Sequence, residues 1–328
     1  MLSHRERLQA CITGDSALDR PPVALWRHFP VDDQSPESLA AATLAYQKQF
    51  DFDLVKVTPA SSFCLRDWGV EDKWEGDPEG TRRYMKRIIK NPADWEKLPV
   101  LSPDSPHLAA QLNCLKMIRN EVEPDTPILQ TIFNPLAQAK NLAGGETLIV
   151  HLRQHPDAVI RGLEIIAEST KRFILAAMGT GIDGIFYAVQ HAQSHLLTVA
   201  EFSRFSTPFD VDLLNNADEL WCNMVHLHGF NVMFDQVADM PMTILNWHDR
   251  ETAWSLADGQ SHFKGVVCGG LKRETVVLGS QAEIRADVID ALQHTNSKRF
   301  LLGTGCVVPI TAPYGNIMAV RKSVETEL

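Results

Sequence analysis

Short apolar runs rich in valine, isoleucine and phenylalanine recur along this chain, each followed by a polar or Gly/Pro break and then a helical pattern. That repetition limits the fold more than any other feature, because alternating strands and helices assemble into parallel sheets covered by helices. Taking roughly four to eight residues as a strand's length, the runs are Val23 to Phe29, Leu54 to Pro59, Ile128 to Asn134, Gly184 to Gln190, Met224 to Gly229, Thr243 to Trp247, Phe263 to Gly269 and Phe300 to Gly305. Helical patterns lie between them at Ser38 to Phe50, Asp157 to Met178, Ala200 to Trp221, Ala282 to Gln293 and from about Pro313 onward. In the second of these, Val159, Leu163, Ile166 and Ile174 form one stripe, and Gly179 suits a helix stop.

Eight such units predict an α/β fold, a single (β/α)8 TIM barrel over residues 1–328; an open doubly wound sheet prints the same local pattern. The stretch from Ala60 to about Asp125 is too long for a simple connection. With Trp68, Gly69, Trp74, Gly76, Pro78 and Gly80 it predicts a folded insertion between strands two and three, placed to cover the barrel mouth.

The balance of 31 basic and 41 acidic residues, a net charge of −10, offers no positive field for a phosphate backbone, so nucleic acid is not an expected partner. No run reaches the ~18 apolar residues of a membrane span, and the charged start lacks a signal-like core; the expectation is a cytoplasmic protein. Six scattered cysteines with no CxxC pair read as thiols.

Barrel enzymes carry their reacting groups at the carboxyl ends of the strands. Here those ends hold Trp26, Arg27 and His28, then Lys56 and Thr58, Asn134, Gln190 and His191, His226 and His228, Asn246, Trp247 and His248, Cys268, and finally Thr304 and Cys306. Side chains alternate along a strand, so His226 and His228 face one space while Val225 and Leu227 face the other. With Cys306 they form a candidate zinc site of two nitrogens and a thiolate, although two histidines bonded to neighbouring loops account for the pair equally well. Arg27 offers a fork of donors suited to a carboxylate or to a rim ion pair. Asp235, seven residues after His228, is a candidate acid, a partner for a histidine, or a solvated residue. The expected catalytic groups are Arg27, His191 and Asp235. Trp26, Asn134, Gln190 and Asn246 are expected to line the pocket, with Trp247 or Trp68 stacking on a flat macrocycle.

Pro21-Pro22-Val23 through Arg27, Phe133-Asn134-Pro135, Gly181-Ile182-Asp183-Gly184-Ile185-Phe186 and Gly303-Thr304-Gly305-Cys306-Val307-Val308-Pro309, with Pro313 and Asn316, resemble the uroporphyrinogen decarboxylase superfamily over essentially the whole chain. The resemblance implies a (β/α)8 barrel. It also implies one of two chemistries: cofactor-free decarboxylation of uroporphyrinogen, or zinc-dependent methyl transfer between a corrinoid and a thiol. The decarboxylase pattern wants two arginines on strand one, an aspartate on strand two and a histidine on strand eight. Here Arg27 is followed by His28-Phe29-Pro30, no aspartate occurs from Lys56 through Cys64, and Gly305-Cys306 replaces the histidine. The methyltransferase pattern of His-x-Cys on strand five and TGC on strand eight is met by His226-Leu227-His228 and Thr304-Gly305-Cys306, with one ligand changed from Cys to His. The resemblance therefore favours zinc as cofactor, and a corrinoid, free or on a corrinoid protein, as partner. Decarboxylation of a porphyrinogen and non-catalytic binding of a tetrapyrrole or corrinoid are the alternatives.

Overall fold

The computed structural model describes residues 1–15 and 18–325. Its strands are β1 (Val55–Val57), β2 (Glu71–Lys73), β3 (Arg83–Lys86), β4 (Ile128–Phe133), β5 (Gly184–Val189), β6 (Met224–Leu227), β7 (Ile244–Trp247), β8 (Val266–Leu271) and β9 (Phe300–Thr304). Seven of them make one curled sheet in the order β1-β4-β5-β6-β7-β8-β9, every neighbouring pair parallel. All residues of these seven strands are buried, which is why the sequence shows mostly apolar runs in place of regular alternation.

The expected first strand, Val23 to Phe29, is not a ladder strand. It makes one parallel bridge, Val23 to Leu302, supported by Ala24 N–H donating to Leu302 O (3.0 Å) and Leu302 N–H to Pro22 O (2.9 Å). Asp53 N–H donates to Val23 O (2.9 Å), so the segment touches both β9 and the entry to β1. Pro21, Pro22 and Pro30 lack backbone donors, which limits the ladder this segment can form.

Asp53 fixes that junction. Its fully buried carboxylate accepts from Val23 N–H (2.7 Å), Arg7 Nη1 (2.7 Å) and Arg20 Nη1 (2.7 Å), and His4 Nδ1 lies 2.9 Å away. Burial alone raises such a carboxyl's pKa; the bonds from His4 and Arg20 and the charges of Arg20 and Arg7 outweigh it and hold the group well below the usual carboxylate range.

Between β1 and β4 the chain folds rather than loops. It forms a short 3-10 turn (Arg66–Trp68), the antiparallel ribbon β2–β3, a second turn (Pro92–Lys97) and a helix (Pro106–Glu121). The ribbon's tip is pinned: Arg82 reaches Asp33 and Asp72 and donates to Pro30 O (2.7 Å), Ile310 N–H donates to Pro78 O (2.7 Å), and Glu79 pairs with Arg273.

Among the helices, Pro156–Met178 follows the expected stripe, with Val159, Leu163, Ile166 and Ile174 fully buried and Gly179 at its end. The expected helix Ala200 to Trp221 is instead two, Val199–Phe205 and Thr207–Asn215. The break falls at Ser206, whose hydroxyl donates to Asp210 (2.7 Å), and Pro208 opens the second helix. All six cysteines are free thiols, and no helix among the described residues is long and apolar enough to cross a membrane.

Candidate metal centre

Adjacent register positions on four parallel strands build the centre. Ala188, His226, Asn246 and Cys268 are successive partners across β5 to β8, so the Asn246 side chain stands beside the His226 ring. Asn246 Nδ2 donates to Cys268 O (2.9 Å) and Thr304 O (3.1 Å), which turns its oxygen toward His226 Nδ1 at 2.6 Å. That oxygen accepts only, so the network assigns the proton to Nδ1 and leaves the Nε2 lone pair free. His226 Nε2 faces Cys306 Sγ at 3.8 Å, and His228 Nδ1 lies 3.7 Å from the same sulfur.

A fourth donor belongs with them. His248, just past β7, directs Nδ1 to Glu251 Oε2 (3.1 Å), while its Nε2 is buried with no partner. One ligand atom each of His226, His228, His248 and Cys306 falls within 4.8 Å of the others. A tetrahedral ion with about 2.3 Å to sulfur and about 2.0–2.1 Å to nitrogen sets its ligand atoms roughly 3.5 Å apart, close to the two sulfur–nitrogen separations here. The orphaned nitrogen, the two histidines held by an amide and a carboxylate, and the mixed nitrogen–sulfur set all fit zinc.

Gly305 makes this convergence sterically feasible. A Cβ at that position would stand 2.7 Å from both His248 Cα and Trp247 O. Only glycine lets the turn after β9 lie on the end of β7 and bring Cys306 to the imidazoles.

The protonation states suit metal binding. Burial, then the neighbouring imidazoles of His228 and His248, holds His226 well below the ordinary histidine range. Burial takes His228 down to about 4 and lowers His248. All three are thus neutral ligands at pH 7. Burial pushes the Cys306 thiol up to about 11 against the opposing charges of Arg273 and Lys56, so without a cation the sulfur keeps its proton.

Three of the four, His226, His228 and Cys306, line the floor of a cavity of about 690 Å³. Its walls come from the β4–β6 strand ends, the β2–β3 ribbon and the helix Pro135–Ala143. Trp26, Gln190 and His191 line it as the sequence suggests, and Trp26 meets Phe186 edge-on at 5.3 Å. Lys56 also faces it, its Nζ 4.3 Å from the Phe186 ring centre.

Other sequence candidates lie elsewhere. Asn246 is the support behind His226 and does not line the cavity wall. Asn134 is fully buried, caps the helix Pro135–Ala143, and donates to Ser206 (3.0 Å) and Asp210 (3.2 Å). Trp247 alternates to the back of β7, fully buried against Phe234, and presents no face on which a macrocycle stacks. Trp68 is directed away, donating to Pro99 O (2.8 Å). Arg27 sits over the Phe29 ring in a separate apolar crevice, and Asp235 is exposed in the 3-10 turn Phe234–Gln236. Arg66 pairs with Asp72 and Arg250 with Asp290, and neither lines the cavity.

His248 is absent from the ligand set expected from the sequence, although Asn246-Trp247-His248 repeats the alternation of His226-Leu227-His228 and makes it a candidate ligand. The ribbon and helix cations Arg82, Arg83, Arg87 and Lys140 that line the cavity are likewise absent from that expectation.

Comparison with known proteins decides the family. The sequence model described as uroporphyrinogen decarboxylase (URO-D) matches residues 4–327. The chain belongs to the uroporphyrinogen decarboxylase family. Among solved structures, a methyltransferase from Methanosarcina mazei superposes with a TM-score of 0.87 over 99% of each chain at 19% identity. A B12-independent methionine synthase from Shewanella sp. W3-18-1, in complex with selenomethionine, gives 0.56 at 12% identity over 93% of each chain. A putative vitamin-B12 independent methionine synthase from Listeria monocytogenes gives 0.55 at 11% identity, over 93% of this chain and 96% of its own. At these identities the likeness establishes a shared α/β fold. A search of curated proteins finds no match.

Proposed function

We propose that this member of the uroporphyrinogen decarboxylase family is a zinc-dependent methyltransferase that moves a methyl group from a corrinoid, free or carried by a corrinoid protein, to a thiol in the cytoplasm. The observation that carries the reading is the convergence of His226, His228, His248 and Cys306, the first two and the last of which line a ligand-sized cavity. In the same reading the curled sheet is a TIM barrel whose eighth stave is the Val23 to Phe29 segment, and residues 60–125 are an insertion over its mouth.

Zinc in this site supplies a Lewis acid that lowers the pKa of a thiol toward neutrality. The chain's own groups prepare the rest. Asn246 and Glu251 fix the tautomers and aim of His226 and His248. Burial lowers the Lys56 pKa to about 7, and in its charged form this side chain favours negative charge on the Cys306 sulfur. Trp26 and Phe186 form an apolar wall that limits water there. A corrinoid donor would supply the methyl group in electrophilic form; the acceptor thiol would release its proton to solvent, and its sulfur would take the methyl carbon while the electron pair of the broken bond leaves with the donor.

A second reading, decarboxylation of a porphyrinogen, is favoured by one feature: the cavity is lined by Lys56, Arg82, Arg83, Arg87 and Lys140, cations suited to substrate carboxylates. One assay separates the two. With methylcobalamin and a simple thiol, the corrinoid spectrum is expected to change with protein present. Chelation is expected to slow the reaction by about 100-fold or more, and zinc to restore it. A metal-free protein of unchanged rate overturns the methyl-transfer reading, and conversion of uroporphyrinogen to coproporphyrinogen establishes the second.

A further inference from the structure

We propose that Arg273 is a positioning residue of the metal centre and that, by holding Glu79 with the same guanidinium, it ties retention of the metal to the seating of the β2–β3 ribbon against the cavity. This rests on the metal-binding part of the reading above and needs neither the corrinoid nor the thiol.

A chain of four side chains runs from the ribbon to a candidate ligand. Glu79, on the turn between β2 and β3, accepts from Arg273 Nη1. Arg273 opens the helix Arg273–Leu278 after β8 and lays its other edge on Glu251, with Nε donating to Oε1 (2.9 Å) and Nη2 to Oε2 (3.2 Å). Glu251 Oε2 also meets His248 Nδ1 at 3.1 Å, and the other nitrogen of that ring is the buried one without a partner. A two-point bond from a guanidinium fixes the plane of a carboxylate, which a single contact with an imidazole does not. Arg273 thus sets the aim of Glu251, and Glu251 the aim of His248. Isolated surface ion pairs contribute little, but this one is a fork-to-carboxylate bond within a network, and the Arg273 side chain is only 17% exposed.

The ribbon tip reaches the metal centre by a second route. Pro78 O accepts from Ile310 N–H at 2.7 Å, and Ile310 follows Cys306 on the turn after β9. Beside it Gly80, at φ +80°, lies so near His28 that a Cβ would stand 2.5 Å from His28 Cβ, so glycine alone seats the tip there. Residues 79–84 of the ribbon wall the cavity. Both tethers of the tip, Pro78 and Glu79, therefore end on segments that carry ligands, whereas Arg82 holds the ribbon to Asp33 and Asp72. A metal that fixes His248 and Cys306 fixes the anchor points of a cavity wall. By linkage, a seated ribbon tightens metal binding by the same factor.

The test pairs zinc affinity, from competition with a chromophoric chelator, with hydrogen exchange of the ribbon amides in metal-free and zinc-loaded protein. Arg273→Met is expected to weaken zinc binding by about 10-fold or more, and Glu79→Gln by about 3-fold. Arg273→Lys keeps the charge but not the fork, and is expected to bind zinc more weakly than the wild type. Zinc is expected to slow exchange in the wild-type ribbon by about the factor that Glu79→Gln loses in affinity, and to protect the Glu79→Gln ribbon less. Zinc affinities of Glu79→Gln and Arg273→Lys both within about twofold of the wild type overturn the proposal. So does a wild-type ribbon whose exchange ignores zinc, even where Glu79→Gln binds zinc more weakly, because charge alone then accounts for the loss. A wild-type protein that takes up no zinc overturns the metal-binding reading and this proposal together, whereas zinc bound without coupling overturns this proposal alone.

Discussion

Replacing Cys306 or His226 by alanine is expected to take the zinc content from about one ion per chain to below about one tenth, with the circular dichroism spectrum of the wild type retained. The two residues come from β6 and from the turn after β9, eighty positions apart, and their donor atoms lie 3.8 Å from each other. Removing either leaves three donors at most, and without the sulfur none of them carries charge. Both side chains border the cavity, so truncation enlarges an existing space and opens no void in the packed core. Elemental analysis after dialysis checks the loss. His248→Ala provides a graded comparison: the original three ligands remain, so a larger fraction of metal is expected to be retained than in Cys306→Ala. Full zinc in both Cys306→Ala and His226→Ala places the metal elsewhere.

The second large effect concerns stability. Asp53→Ala is expected to destabilise the fold by about 3–5 kcal/mol, because it strands the buried Arg7 charge and the partly buried Arg20 charge and leaves Val23 N–H without its carboxylate acceptor. For a chain of this length that is roughly a 4–7 °C fall in Tm. Arg20 suffers most, since Arg7 keeps Asp19. The pH dependence follows from the sign of the shift. The folded carboxyl lies below its unfolded value of about 3.9, so its contribution is complete above that pH and drains away as pH falls through the folded value. Wild-type melting temperature is expected to fall on acidification below about pH 4. Asp53→Asn is expected to start lower and to flatten part of that slope. An acid limb identical in the two proteins contradicts the assigned role.

Burial explains why so much of the fold is legible in the sequence. β4 to β9 are covered on both faces, so each prints a mostly apolar run between polar breaks, interrupted only at positions such as Gln130, His226 and Asn246. Val23 to Phe29 prints the same run, yet its prolines and a single bridge to Leu302 keep it from being a ladder strand. The helix expected from Ala200 to Trp221 hides a break because Ser206 satisfies Asp210 locally, an interaction that periodicity does not register. At the site, His226 and His228 are legible because strand alternation fixes their common face, and Cys306 because it follows the last strand at the same rim, a pairing the family resemblance repeats. His248 obeys the same alternation but is separated from a recognised motif. Arg87 and Lys140 reach the cavity from a folded-back ribbon and a helix, so only tertiary placement reveals them. Trp247 and Asn134 sit at strand ends as expected, but face the packed layer behind the sheet.

X-ray absorption at the zinc edge of the purified full-length protein tests the central claim most directly. The account predicts one sulfur at about 2.3 Å and two or three imidazole nitrogens at about 2.0–2.1 Å. A zinc shell of nitrogen and oxygen alone, or a protein that takes up no zinc when the ion is supplied, contradicts it.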